Sequence, residues 1–385
     1  MITQVIPMSV RWWEEAQQGC LGQGPRQILE LVRDHGDETL SFFGLAPENA
    51  HYLAPSGNGV VNYRLSGDVA VLPGDPVCQP GACEEVLSHF LDFCQREHWH
   101  LAIFQAHPTY LPFYHKLGLH AFKIGEEAIL HPQTFMLSGT AKATLRKSCH
   151  RAERAGVTLR WYDGAPPQTI MEQLRTLSQA WLEEKSGKGA IEMGFSLGRL
   201  NELEAFAARA DAIASTAPTP DEQIPRTLPR LVTGVAFDGA GQACAFISCT
   251  PIYGSVDIQV MGSSMLQSRC GWGWAVDLMR HRPEAPYGAL KLLIEHALER
   301  FHGAGAEVLS LGVIALANSH QEMEPLQRAL ARGVAQHLQV LKSYQTLLRF
   351  KQDFQPSWES RYLVISERLS IPKVLWAVWQ VHQSK

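Results

Sequence analysis

The chain has 385 residues, 45% of them hydrophobic and 19% charged, with a formal net charge of −4. This composition excludes a disordered chain. The weakly acidic balance excludes a surface that is basic throughout, so any contact with RNA or anionic lipid must come from a local patch.

Eight cysteines, at positions 20, 78, 83, 94, 149, 244, 249 and 270, contain no C-x-x-C pair and no zinc-type histidine spacing. They read as reduced thiols, and no metal site is expected. The opening MITQVIPMSVRWWEEAQQG lacks a charged segment followed by an apolar one, so no signal peptide is expected. No run of about 18 apolar residues occurs, so no membrane-spanning helix is expected either. The expected location is the cytoplasm, and a lipid substrate would be met by peripheral contact with the inner face of the membrane.

Apolar spacing predicts a helix over 25–35, then strands over 51–53, 59–64 and 69–72 with a turn at 57–59. A helix over 83–98 follows, with Val86, Leu87, Phe90, Leu91 and Cys94 on its apolar face. A buried strand over 101–105, a short helix over 112–116 and a strand over 122–130 complete a first unit. A second unit has helices over 140–155, 168–184, 201–214 and 288–302. Its strands are expected over 158–161, 230–237, 243–249, 255–260, 273–278 and 308–313, with 347–350 and 360–365 closing the unit. Ala217–Pro229 reads as a surface loop, and 371–382 as an amphipathic tail carrying Trp376 and Trp379. The fold class is α+β, two units of mixed, mostly antiparallel sheet flanked by helices.

Four segments carry candidate chemistry. In the first, a strand is expected to end in Asp277, with Arg280, His281 and Arg282 close behind and a Pro/Gly loop leading into a helix. A helix N-terminus there suits an anion or a carbonyl oxygen, and the acid suits an α-amino group or a nucleophile to be positioned. In the second, 348–362, Lys351 and Arg361 stand among aromatics, a pairing that suits phosphates and stacked bases. In the third, Arg146, Lys147, His150, Arg151 and Arg154 form the densest basic patch, placed by helical spacing on neighbouring faces. It suits a tRNA acceptor stem or anionic headgroups. In the fourth, Glu192 precedes Gly194-Phe195-Ser196-Leu197-Gly198, two glycines around an aromatic and a serine, as in a loop close to a ligand. Each pattern also has an ordinary structural reading: an ion-paired loop, a strand with snorkelling cations, a solvated helix face and a helix-ending turn. G-x-S-x-G, a phosphate-binding P-loop, a dinucleotide fingerprint and H-E-x-x-H are all absent from the sequence.

Taken in order, these segments resemble the C-terminal synthase domain of phosphatidylglycerol lysyltransferases, the multiple peptide resistance factors. The resemblance runs from Leu72-Pro73-Gly74-Asp75-Pro76 through Tyr114–Leu119, Lys123–Ala128, Leu145–Gly156, Gly194–Gly198, Val276–Arg280 and Leu309–Gly312 to Phe350–Tyr362. It implies tandem GNAT-like domains, an N-terminal one over 1–138 and a catalytic one over 139–370 with the basic linking helix 140–155, then a tail over 371–385. It implies no cofactor, coenzyme A included, with an aminoacyl-tRNA donor and a lipid hydroxyl acceptor, phosphatidylglycerol or another lipid such as a sterol. Asp277 and Lys351 fall on the positions implied to be catalytic. Glu192, Phe195, Ser196, Arg280, His281 and Arg361 fall on or beside those implied to bind substrate. One departure is Asp353, where the family pattern F-K-x-K-F has its second lysine. The residues by themselves leave open a GNAT-type acyltransferase acting on a peptide or small-molecule amine, and a non-catalytic tRNA- or lipid-binding module.

Overall fold

The apolar runs become strands, and in this computed structural model thirteen of them join one mixed sheet. The described residues are 5–7, 15, 22–186, 192, 194–216, 228–254, 272–315 and 344–383. The strands are β1 (Val5–Pro7), β2 (Ala50–Leu53), β3 (Gly59–Ser66), β4 (Val69–Pro73), β5 (Val77–Cys78), β6 (His100–Ala106) and β7 (His120–Leu130). They continue as β8 (Thr158–Asp163), β9 (Val232–Phe237), β10 (Ala243–Ile252), β11 (Gly273–His281), β12 (Val308–Ala315) and β13 (Ser357–Ile365). Their spatial order is β1-β2-β3-β4-β6-β13-β7-β12-β11-β10-β9-β8, with β5 paired to β3. The pairs β4–β6 and β11–β12 are parallel, and the other pairings are antiparallel. The α+β class with a mostly antiparallel sheet is therefore the one expected.

Helices cover both faces of the sheet, and the period of two along each strand decides which residue meets which helix. On β6, Leu101 and Ile103 join Val86, Leu87 and Phe90 of the helix Cys83–Arg96. Ala102 and Phe104, on the opposite face, join Ile28 and Val32 of the helix Gln23–His35. In the second unit the helix Ala289–Gly303 buries Leu292, Leu293, Ala297 and Phe301, and Phe301 stacks on Trp274 at 4.1 Å. Cutting Leu293 or Phe301 back to Ala costs about 2–5 kcal/mol in such a setting. The terminal helix Ile371–Gln383 buries Val374, Ala377, Val378 and Val381, a helical spacing that seats it in the same core as the helix Gln23–His35.

The central strands interleave the two ends of the chain. β13 lies between β6 and β7, and β7 also pairs with β12. One sheet thus passes from the first unit into the second without a break. Two expectations change. Residues 347–350, expected to close the unit alongside strand 360–365, belong to the helix Tyr344–Gln352. The reason is a stripe at helical spacing, Leu347, Phe350, Lys351 and Phe354, of which Lys351 and Phe354 are buried. Asp277 does not end its strand: β11 runs on through Arg280 to His281, because β10 keeps pairing with it as far as Ala245. The expected strand 255–260 lies outside the described residues, as does 217–227 of the expected loop.

Candidate active site

β11 and β12 pair from Gly273/Val308 to Ala275/Ser310. Beyond that point β12 shifts register against β7 around Gly312, whose φ of 80° is left-handed backbone that glycine adopts without strain. A cavity of about 140 Å³ lies in this region, lined by Ala275, Val276, Asp277, Ser310, Gly312 and Val313 from the two strands. Glu127, Ser196, Thr250 and His382 also line it, as do Leu40 and Phe104.

Asp277 stands on one wall. Its Oδ1 accepts the backbone N–H of Gly198 at 2.7 Å. Ser248 donates its hydroxyl to Oδ2 at 3.4 Å and accepts the N–H of Leu278 at 3.0 Å. Ser248 sits where β10 slips register against β11, and such a bulge re-aims side chains. Burial pushes the Asp277 carboxyl up to about 7, against the opposing pull of the Gly198 N–H. Gly198 must be small here, because a Cβ would overlap both Asp277 and Phe206.

Lys351 is 3% exposed at the end of the helix Tyr344–Gln352 and donates to the Gly312 carbonyl at 2.9 Å. Burial pulls its ammonium down to about 7, while Glu127 acts in the other direction. Lys351 therefore reaches the cavity through Gly312, whereas Asp277 lines it directly. A carboxyl on β11 and an amine on the helix Tyr344–Gln352 are thus both brought to about 7, one on the cavity wall and the other behind Gly312.

Glu127, from β7, is wholly buried and was not singled out for chemistry by the sequence. It accepts from Ser310 Oγ and from Arg361 Nε at 2.7 Å. Arg361 also lies 3.3 Å from Glu38 and 3.4 Å from Glu359, and Glu359 is 3.4 Å from His107. Burial pushes the Glu38 carboxyl up to about 7. No local motif could reveal this network, because its members come from five separate stretches of chain.

The other expected site residues divide in two. Phe195 and Ser196 lie in the loop 194–198, and Ser196 lines the cavity. Glu192, Arg280, His281 and Arg361 are not among the described residues that line it. Arg280 is buried and bonds Glu192 and Ser178, with Trp181 under its guanidinium at 5.3 Å. Glu192 in turn accepts the N–H of Leu200 at 3.1 Å, so this pair clamps the loop that carries Ser196 and Gly198. His281 bonds the Arg282 carbonyl at 2.8 Å. On the basic helix Ala143–Arg154, Lys147, His150, Arg151 and Arg154 are exposed. Arg146 instead holds the carbonyls of Leu137 and Gly139 at 2.7 and 2.6 Å. Asp353, the departure from the family pattern, accepts from Lys291 at 2.6 Å.

Comparison with known proteins places this arrangement. The family described as "Phosphatidylglycerol lysyltransferase, C-terminal" matches residues 29–217 and 225–365. A phosphatidylglycerol lysyltransferase of Staphylococcus epidermidis is 25% identical over 356 residues, covering 92% of this chain and 37% of that protein. The lysylphosphatidylglycerol biosynthesis bifunctional protein LysX of Mycolicibacterium gilvum is 26% identical over 368 residues, covering 94% of this chain and 29% of that protein. The chain thus spans about a third of the length of these relatives. The solved structure of L-PGS from Bacillus licheniformis shares the fold, with a TM-score of 0.72 at 22% identity over 93% of this chain and 96% of that one. A DUF2156 C-terminal domain from Agrobacterium fabrum has a TM-score of 0.66 at 22% identity over 96% of each chain. With its family match running from the first core helix to the end of the strand that closes the central sheet, the chain belongs to the phosphatidylglycerol lysyltransferase C-terminal family.

Proposed function

We propose that this chain moves an amino acid, lysine by the names of its relatives, from its ester on tRNA to a lipid hydroxyl, with phosphatidylglycerol as the first acceptor to test. The observation that carries this reading is Asp277 on the wall of the cavity beside the parting strands β11 and β12, its carboxyl raised to about 7, with Lys351 behind Gly312. An aminoacyl ester is already activated, so exchange of one ester for another needs alignment, a proton route and relief of the oxyanion's charge.

In this mechanism the lipid hydroxyl attacks the ester carbonyl carbon and its proton passes to Asp277. The tetrahedral intermediate carries its negative oxygen near the Lys351 ammonium. Collapse breaks the bond to the tRNA ribose oxygen, which takes the proton back from Asp277. A carboxyl near 7 serves both proton transfers at neutral pH, because its two forms are nearly equally available. Arg280 and Glu192 act at one remove, by fixing the loop that holds Asp277.

The exposed cations Lys147, Arg151 and Arg154 form the face offered to the tRNA backbone. Among the described residues no helix is long and apolar enough to cross a membrane. Trp376, 53% exposed and 4.7 Å from Trp379, is the side chain offered to the lipid surface.

The test is transfer of labelled lysine from lysyl-tRNA to extractable lipid by the purified chain with phosphatidylglycerol vesicles. Labelled lipid is expected. Label appearing on peptide or amine acceptors alone, or tRNA binding with no product in any lipid mixture, overturns the reading.

A further inference from the structure

The terminal helix Ile371–Gln383 does more than fill the core. Its His382 is fully buried yet lines the same cavity as Asp277. His382 Nε2 lies 2.8 Å from Ser196 Oγ, and Nδ1 lies 2.6 Å from the carbonyl oxygen of Val378. The imidazole sits among the rings of Phe104 and Phe195, at centroid distances of 5.0 and 5.1 Å. The His382 carbonyl accepts the N–H of Gly194 at 2.9 Å, which ties the loop 194–198 to the end of the helix. Phe195 holds a φ of 69°, a conformation that persists in a bulky residue only where its surroundings impose it.

These contacts settle where the protons are. A carbonyl oxygen only accepts, so Nδ1 carries the hydrogen and Nε2 of the neutral ring is bare. Ser196 must then donate its hydroxyl hydrogen to Nε2. Its oxygen is left with lone pairs alone to present to the cavity. An acceptor with no hydrogen to offer matches a donor with no lone pair, and a primary ammonium is that donor. Two residues further along the same loop, the Gly198 N–H holds Asp277, where the ester carbonyl reacts. Of the groups on an aminoacyl ester, the α-ammonium is attached one carbon from that carbonyl.

We propose that His382 is a positioning residue that turns Ser196 into an acceptor for the α-ammonium of the aminoacyl group. The proposal rests on the aminoacyl-transfer reading and adds to it the residue pair that tells an amino acid from a plain acyl group. Attack by Ser196 itself is the rival chemistry. It would require His382 to take the serine proton, and burial holds that imidazole down at about 4.

Three amides serve as probes, with binding followed by titration calorimetry: L-lysinamide, 6-aminohexanamide, which lacks the α-amino group, and norleucinamide, which lacks the ε-amino group. The wild-type chain is expected to favour lysinamide over 6-aminohexanamide by about tenfold to a hundredfold, the worth of a hydrogen bond to a charged group. Ser196→Ala should reduce that ratio about tenfold and leave 6-aminohexanamide binding unchanged, which a general loss of structure would not do. His382→Phe, which keeps a ring in place and removes the acceptor nitrogen, should act in the same direction; if it melts early, Ser196→Ala carries the test alone. An unchanged ratio in Ser196→Ala overturns the proposal. So does a changed preference against norleucinamide alone, or an aminoacyl adduct found on Ser196 by mass spectrometry after mixing with lysyl-tRNA. A wild-type chain that binds no probe and labels no lipid brings down the transfer reading and this proposal together. A chain that labels lipid while its variants keep the ratio brings down this proposal only.

Discussion

Arg361 places its guanidinium 2.5 Å from Glu127 where the two side chains are 1% and 0% exposed. Glu38 and Glu359 stand on the same guanidinium. Arg361 is thus the shared counter-ion of three carboxylates in the middle of the sheet. Removing it leaves buried charge uncompensated, so Arg361→Met should lower unfolding free energy by about 3–5 kcal/mol in urea titrations. Arg361→Lys should recover only part of this, since an ammonium lacks the planar fork. Normal stability with lost turnover would instead mark Arg361 as a substrate contact.

In the proposed mechanism, Asp277 and Lys351 set the expected pH dependence of transfer. As a proton acceptor Asp277 must be ionised, so the rate should rise with pH through about 7. As a cation Lys351 must be protonated, so the rate should fall again above about 7. Asp277→Asn should remove the rising limb and Lys351→Met the falling one, each with a loss on the order of 10²-fold or more in kcat, measured with saturating lysyl-tRNA.

The same Lys351 should oppose folding. Its ammonium moves from an ordinary 10.5 to about 7 on folding. Between those values the unfolded chain binds a proton that the folded chain releases, so stability rises with pH across that window. Lys351→Met should therefore raise the melting temperature, and more at pH 6 than at pH 8, in the same variant that loses turnover. Asp277 acts in the opposite sense. Its carboxyl rises from 3.8 to about 7, the folded chain binds the extra proton, and stability falls as pH rises through that window.

Gly198→Ala should cut activity by roughly 10²-fold, because the added methyl displaces the carboxylate that Gly198 holds. Kinetics on the variant, with its fold checked by circular dichroism, would show it. Near-normal kcat would mean that the carboxylate position is not critical.

Changing Lys147, Arg151 and Arg154 together to Ala should weaken tRNA binding. The slope of log K against log salt should become shallower by about 2, the release of a few counterions. Arg146→Ala should leave the slope alone, because its guanidinium is held by Leu137 and Gly139. Filter binding across a salt series separates the two.

Much of the architecture was legible in the amino-acid order because local periodicity carries it. The helices Cys83–Arg96 and Ala289–Gly303 and most strands lie within a few residues of where apolar spacing puts them. Asp277 stands out as an ionisable group in an apolar stretch and Lys351 as a cation among aromatics, and the resemblance to the lysyltransferase family rests on motifs in linear order. Their partners do not show in that order. Glu127 meets Arg361 across 234 positions, and Ser196 meets His382 across 186. The insertion of β13 between β6 and β7 brings the first pair together, and the seating of the terminal helix beside the loop 194–198 brings the second. Sequence alone determined the elements and the family, since hydrophobic spacing and short motifs act over a few residues. Only the tertiary structure decided which charges are buried against which, and where β12 leaves β11 to open the cavity, since those depend on contacts between segments far apart in the chain.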